Sequence, residues 1–135
     1  MKRFAWMMAI LMLLPMLTAC KTYSEKKDAQ LLESRISTYG QAVRWAHMED
    51  AHGYVKREPG DKIKLPENME NIRITEYEVF IPPYKMSDGT VIQTVRITYV
   101  HKDRQVVKSL TDEQLWEFDE ERENWYRINP IPEFE

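Results

Sequence analysis

The groups in this 135-residue chain best placed to do chemistry are one thiol, three imidazoles and a few neighbouring carboxylates. The thiol belongs to Cys20, the single cysteine, which follows Leu17, Thr18 and Ala19 where an apolar run gives way to polar residues. A thiolate is the side chain nucleophilic enough to be alkylated to a thioether, and small residues before it let a peptidase thread an extended backbone. Two imidazoles fall in "HMEDAH", with His47, Glu49, Asp50 and His52. His47 with Asp50, or Glu49 with His52, stands three apart and can share a helical face, as metal ligands or an acid–base pair require. The two histidines are five apart and point away from each other on a regular helix. A solvated corner is the expectation there, with His47, Asp50 and His52 kept as the metal candidates. The third imidazole, His101, shares strand parity with Tyr99, Ile97 and Val95 and is the catalytic candidate. No acid is expected on that face of the neighbouring strand, and "HKDRQ" beside it is a turn, so a water-facing ring is expected. No serine stands in a nucleophile elbow, four glycines form no phosphate loop, and one cysteine makes no CxxC. The chain is expected not to be an enzyme and to need no cofactor.

The first twenty residues set the location. Lys2 and Arg3 form a basic start, and Phe4 to Met16 is apolar throughout, the length of a secretory signal. That run falls short of the roughly 20 residues needed to span a bilayer. Leu17-Thr18-Ala19-Cys20 then resembles the lipobox of bacterial lipoproteins. The resemblance implies cleavage between Ala19 and Cys20, a diacylglyceryl thioether on Cys20 and acylation of its freed amine. Several acyl chains on one residue hold far better than one, at about 0.8 kcal/mol per buried methylene. Residues 1–19 are therefore expected to be a signal peptide, and 20–27 a lipidated tether of at most about 25 Å. Lys21 stands where an aspartate would favour the inner membrane, which implies the outer membrane, facing the periplasm. The remaining chain carries 17 basic residues (19 less Lys2 and Arg3) against 22 acidic ones, a formal charge of −5. That balance excludes nucleic acid as an expected partner. It also gives no second, electrostatic grip on anionic lipid.

The residues from Asp28 on suffice for one domain with a modest core. Leu32, Ile36, Tyr39 and Val43 recur at spacings of four and three, which predicts a helix from about Asp28 to Trp45, capped by Thr22 or Ser24. Gly40 weakens that helix without breaking it. A second short helix is expected over Met48 to Val55, then a loop through Pro66-Glu67-Asn68. Ile72 and Ile74 alternate with polar residues, and Tyr77, Val79 and Ile81 resume on the other parity, which predicts a β-bulge. Pro82-Pro83 is expected to end that strand and "SDGT" to turn a hairpin. Val91, Val95, Ile97 and Tyr99 mark the next strand. A third is expected from Gln105 to Phe118 with a kink at "LTDEQ", and a last one from Trp125 to Ile128. The fold class is α+β, with N-terminal helices packed on a bent four-stranded antiparallel sheet.

This order, with the Asp-Gly hairpin and the closing "QLWEFDEERENWYRIN", resembles the NTF2-like (cystatin-like) superfamily over residues 28–129. Residues 130–135 form a tail. The resemblance implies a cone that serves as a binding or assembly module, that carries a small apolar ligand, or that houses a hydratase or isomerase using His101. The function expected is the first, a non-catalytic module tethered to the membrane with a protein partner in the cell envelope. Trp116, Phe118, Trp125 and Tyr126 are the candidate binding surface. Leu115 adjoins Trp116 and Tyr126 adjoins Trp125, so both sheet faces carry apolar residues and the second needs a cover.

Overall fold

The computed structural model describes residues 15–135, with side chains from Tyr23 onward. Most of the expected signal peptide, residues 1–14, lies outside the described residues, as do the side chains of the lipobox. The chain divides into two compact units, Met1–Glu33 and Ser34–Glu135, and the boundary falls within the first helix. That helix, α1, spans Pro15–Arg44, thirteen residues earlier than the apolar stripe begins at Asp28. Thr22 and Ser24 are therefore interior helical residues rather than caps. The segment expected as an extended tether is helical too, and a helical rise of 1.5 Å per residue shortens its reach to about 10 Å. No helix among the described residues is long and apolar enough to cross a membrane.

The second unit is one four-stranded antiparallel sheet in sequence order: β1 (Ile72–Lys85), β2 (Val91–His101), β3 (Val106–Asp119) and β4 (Asn124–Arg127). One long helix and one turn of a second, α2 (Met48–His52), accompany it, shorter than the expected Met48 to Val55. β1 pairs with β2 through three register shifts, and the first, between Ile74 and Glu76, is the bulge expected from the parity switch. Pro82 and Pro83 do not end the strand, which runs on to Lys85. β1 is an edge strand, where a residue without an N–H breaks no ladder. The hairpin at "SDGT" forms as expected, with the positive φ on Gly89 and the Asp88 carboxylate accepting from the Thr90 amide at 2.9 Å. β2 and β3 pair over eleven consecutive positions without a shift, so the kink expected at "LTDEQ" is absent. The break in periodicity there comes from polar residues placed inward, not from a bend.

The inner face of this sheet carries Val91, Gln93, Val95, Ile97, Tyr99 and His101 from β2, and Asp112, Gln114 and Trp116 from β3. Ile36, Tyr39 and Val43 of α1 are buried, the stripe expected from their spacing. The helix crosses the strands obliquely: Arg35 donates to the Trp125 carbonyl of β4, and Arg44 to the Ile74 carbonyl of β1. Gly40 lies against the Tyr77 ring, where a Cβ would come within 2.9 Å of Cε1. The glycine is thus a packing requirement, since only its missing side chain lets helix and ring approach so closely. At the far edge, Tyr54 to Lys56 runs alongside Arg127, exchanging backbone hydrogen bonds at 2.7 and 2.8 Å. The β4 edge is therefore covered at Arg127.

Candidate functional site

At the centre of the inner face lies an ion pair. Arg127 of β4 and Asp112 of β3 are 1 % and 3 % exposed, and the guanidinium meets both carboxylate oxygens, at 2.7 and 2.8 Å. The remaining hydrogen-bonding capacity is spent on neighbours. Arg127 also donates to the Tyr39 hydroxyl, to the Asn129 carbonyl at 3.0 Å and to the Pro130 carbonyl at 2.6 Å. Gln114 donates to Asp112 at 2.9 Å and to the Tyr77 hydroxyl at 2.8 Å, and Gln93 reaches Gln114 at 3.4 Å. One connected network thus ties α1, all four strands and the following segment together. A buried charge pair persists only when its geometry is good and its spare lone pairs and protons are satisfied; both conditions hold.

The electrostatics follow from this placement. Burial pushes the Tyr77 hydroxyl up to about 12, against the opposing pull of its bond from Gln114. Burial raises Tyr39 further still, although Arg127 pulls it down. Burial is the largest influence on Arg127 and works against its charge, but the Asp112 hydrogen bonds and the attraction of Tyr39, Asp112 and Tyr77 together outweigh it and hold the guanidinium above its ordinary value. Both partners of the pair are already engaged, and both tyrosines are held neutral.

Each expected site residue has a definite place. His101 is 6 % exposed, so its ring is buried rather than water-facing; Nδ1 meets Arg104 at 3.4 Å and Nε2 has no partner among the described residues. An acid does fall on its sheet face, contrary to expectation, and that acid is Asp112. The two are not a pair. His101 stands opposite Val106, and Asp112 opposite Val95, six residues along β2, which separates them by about 20 Å. His47 and Asp50 are exposed, 3.7 Å apart, and line two open clefts of about 520 and 610 Å³ with Glu49. His52 instead turns inward and meets the Lys64 carbonyl at 2.8 Å. The described residues hold no group of three or more His, Cys, Asp and Glu side chains that could bind a metal.

The four aromatic residues expected as a surface are divided by the fold. Trp116 is fully buried, edge-on to Tyr39 at 5.5 Å, and Trp125 is buried edge-on to Phe118. Both belong to the core because they share the inward parity of Gln114 and Arg127. Phe118 and Tyr126 remain half-buried.

A cluster of exposed and half-buried apolar residues lies elsewhere, on the outer face. Tyr84 of β1, Ile92 of β2 and Leu115 of β3 stand opposite one another in register across three strands. Beside them, Phe80 is the extra residue of the second bulge and Ile81 follows it, and Phe80 lies under the Arg96 guanidinium at 4.7 Å. Phe80 and Tyr84 are 57 % and 47 % exposed. Leu115 was the one sequence signal for this patch. Tyr84 was hidden because Pro82-Pro83 was expected to end the strand before it. Farther along the same face the residues are polar: Thr98 meets Ser109 at 3.1 Å, and Arg96 pairs with Glu78. No protein-family model, curated protein or solved structure matches this chain.

Proposed function

We propose that this protein is a lipid-anchored, periplasm-facing module of a bacterial envelope, held at the outer membrane through Cys20 and binding another envelope protein without catalysis. An NTF2-like cone whose inside is filled is the fold reading that goes with it. Support for that reading comes from the helix-first order and the oblique helix on a bulged sheet. Signal and lipobox, read from residues 1–20, support the anchor.

One observation carries the binding reading. The inner face is plugged by touching side chains (Tyr39, Trp116, Arg127, Asp112 and Gln114), while the outer face shows the Phe80, Ile81, Tyr84, Ile92 and Leu115 patch. A carrier needs the reverse, an open apolar interior. An exposed contiguous apolar patch on a sheet marks a surface that works by contact. Among the described residues the hydratase reading finds no buried proton-transfer pair, since the buried carboxylate, Asp112, is committed to Arg127.

The test is in-cell photocrosslinking with a photoreactive residue at Phe80 or Tyr84, and at Ser109 as the control on the polar part of the same face. The expected result is one discrete adduct from the first two positions and none from Ser109. Equal labelling at all three would remove the patch from the argument. The anchor is tested separately by Cys20→Ser, which is expected to abolish acylation and release the protein from the membrane fraction.

A further inference from the structure

The segment after β4 is irregular yet held at four points. Arg127 donates to the Pro130 carbonyl, Ile131 and Phe134 are 7 % and 6 % exposed, Lys64 pairs with Glu133 at 2.9 Å, and the Tyr99 hydroxyl donates to the Glu135 carbonyl at 2.7 Å. Phe134 sits edge-on to Tyr99 at 5.2 Å, at the end of the inner face away from the ion pair. We infer that Pro130–Glu135 is a detachable strap lying in a peptide groove, and that the groove accepts an extended acidic segment of a partner with two apolar anchors three residues apart.

Three features carry this. The strap makes no strand pairing, so it is held by side-chain anchors and single hydrogen bonds, the arrangement by which extended peptides are recognised. Burial of two apolar side chains, helped by single hydrogen bonds, is set against the larger cost of ordering six residues outside regular secondary structure, so the strap is held by a narrow margin. Such a segment opens locally without unfolding the sheet. Finally, the strap leaves its groove incompletely used: His101, whose ring lies 5.7 Å from that of Tyr99, keeps its buried Nε2 without a partner. A segment that offers a hydrogen-bonding group there competes with the strap on better terms. Lys64 against Glu133, an exposed pair, adds a small, salt-sensitive preference for acid between the anchors. This groove and the outer-face patch lie on opposite faces of the sheet, so either can fail alone.

Two measurements test it. Native-state hydrogen exchange on the full chain is expected to show the Phe134 and Glu135 amides protected at least about a hundredfold less than those of Val95 and Ile97. A chain ending at Asn129 is expected to stay folded and to bind the synthetic peptide Asn-Pro-Ile-Pro-Glu-Phe-Glu. The same peptide with Phe134→Ala should bind at least about tenfold more weakly. Strap amides that exchange only with global unfolding would overturn the inference, as would a shortened chain that fails to fold or folds and binds nothing. A concentration-dependent dimer of the full chain that forms by strap exchange would assign the groove to a second copy and overturn the partner reading.

Discussion

At the scale of single residues, the Arg127–Asp112 pair decides most. Neither partner was legible in the sequence. Asp112 falls in "LTDEQ", which was expected as a kink in the strand, and Arg127 follows two aromatic residues whose own burial was in question. The unbroken β2–β3 register places Asp112 inside, and the β3–β4 register, with Arg127 opposite Trp116, places Arg127 there. Arg127→Met leaves Asp112 buried without its counter-charge, and the expected cost is about 3–5 kcal/mol of unfolding free energy in urea. The double variant Arg127→Met, Asp112→Leu is expected to recover much of that loss, because two apolar residues of similar size replace the pair. If the double variant is as unstable as the single one, the charge is not the cause. Gly40 makes the complementary case, since its helical position was readable and its reason was not. Gly40→Ala raises helix propensity, yet its methyl group meets a Tyr77 ring fixed by Gln114. A net loss of about 1–3 kcal/mol is expected from that overpacking. A thermal midpoint at or above the parent's would show that the ring moves aside freely.

Among the elements, the two sheet edges differ. Tyr54 to Lys56 covers β4 at Arg127, whereas β1 lies at the other edge, beyond which no strand is paired among the described residues, and carries exposed Val79, Phe80, Ile81 and Tyr84. An apolar open edge is a template for pairing with another chain. Pro82 and Pro83 sit in the middle of it and donate no N–H, and the neighbouring bulges twist the edge further from a flat ladder. Their role as edge guards was missed because two adjacent prolines ordinarily signal the end of a strand. Pro82→Val with Pro83→Val is expected to leave the melting temperature close to the parent's but to shorten the lag of thioflavin-positive aggregation several-fold. Unchanged aggregation would assign the protection to the bulges alone. The elements themselves were largely readable: the bulge after Ile74, the "SDGT" hairpin and the α1 stripe all follow from periodicity and turn chemistry. The start of α1 was not, because the residues before Asp28 lack an apolar stripe.

For the whole molecule, the buried tyrosines set how stability responds to alkali. Tyr77 and Tyr39 both have native pKa values above the ordinary value near 10, so the native state holds protons that the unfolded chain releases. Stability is fully present below about pH 10 and falls as pH rises toward 12, by up to about 1.4 kcal/mol per pH unit for each tyrosine. Urea titrations between pH 9 and 11.5 measure the slope, and Tyr77→Phe is expected to make it shallower. A flat profile would mean that neither hydroxyl is desolvated in solution. The α+β class and the four-strand order were readable because the chain is a meander, each strand paired with the next. The filled interior was not, since it depends on which polar residues turn inward.

The uninterrupted β2–β3 ladder also orders the route by which the chain reaches this state. Its two strands are joined by four residues, so closing that hairpin costs little chain entropy and zips eleven pairs without negotiating a bulge. β1 must pass three register shifts, and the Tyr39–Arg127 contact spans 88 residues of sequence. The central hairpin is the natural nucleus, and the buried network, which draws on α1 and all four strands, closes last.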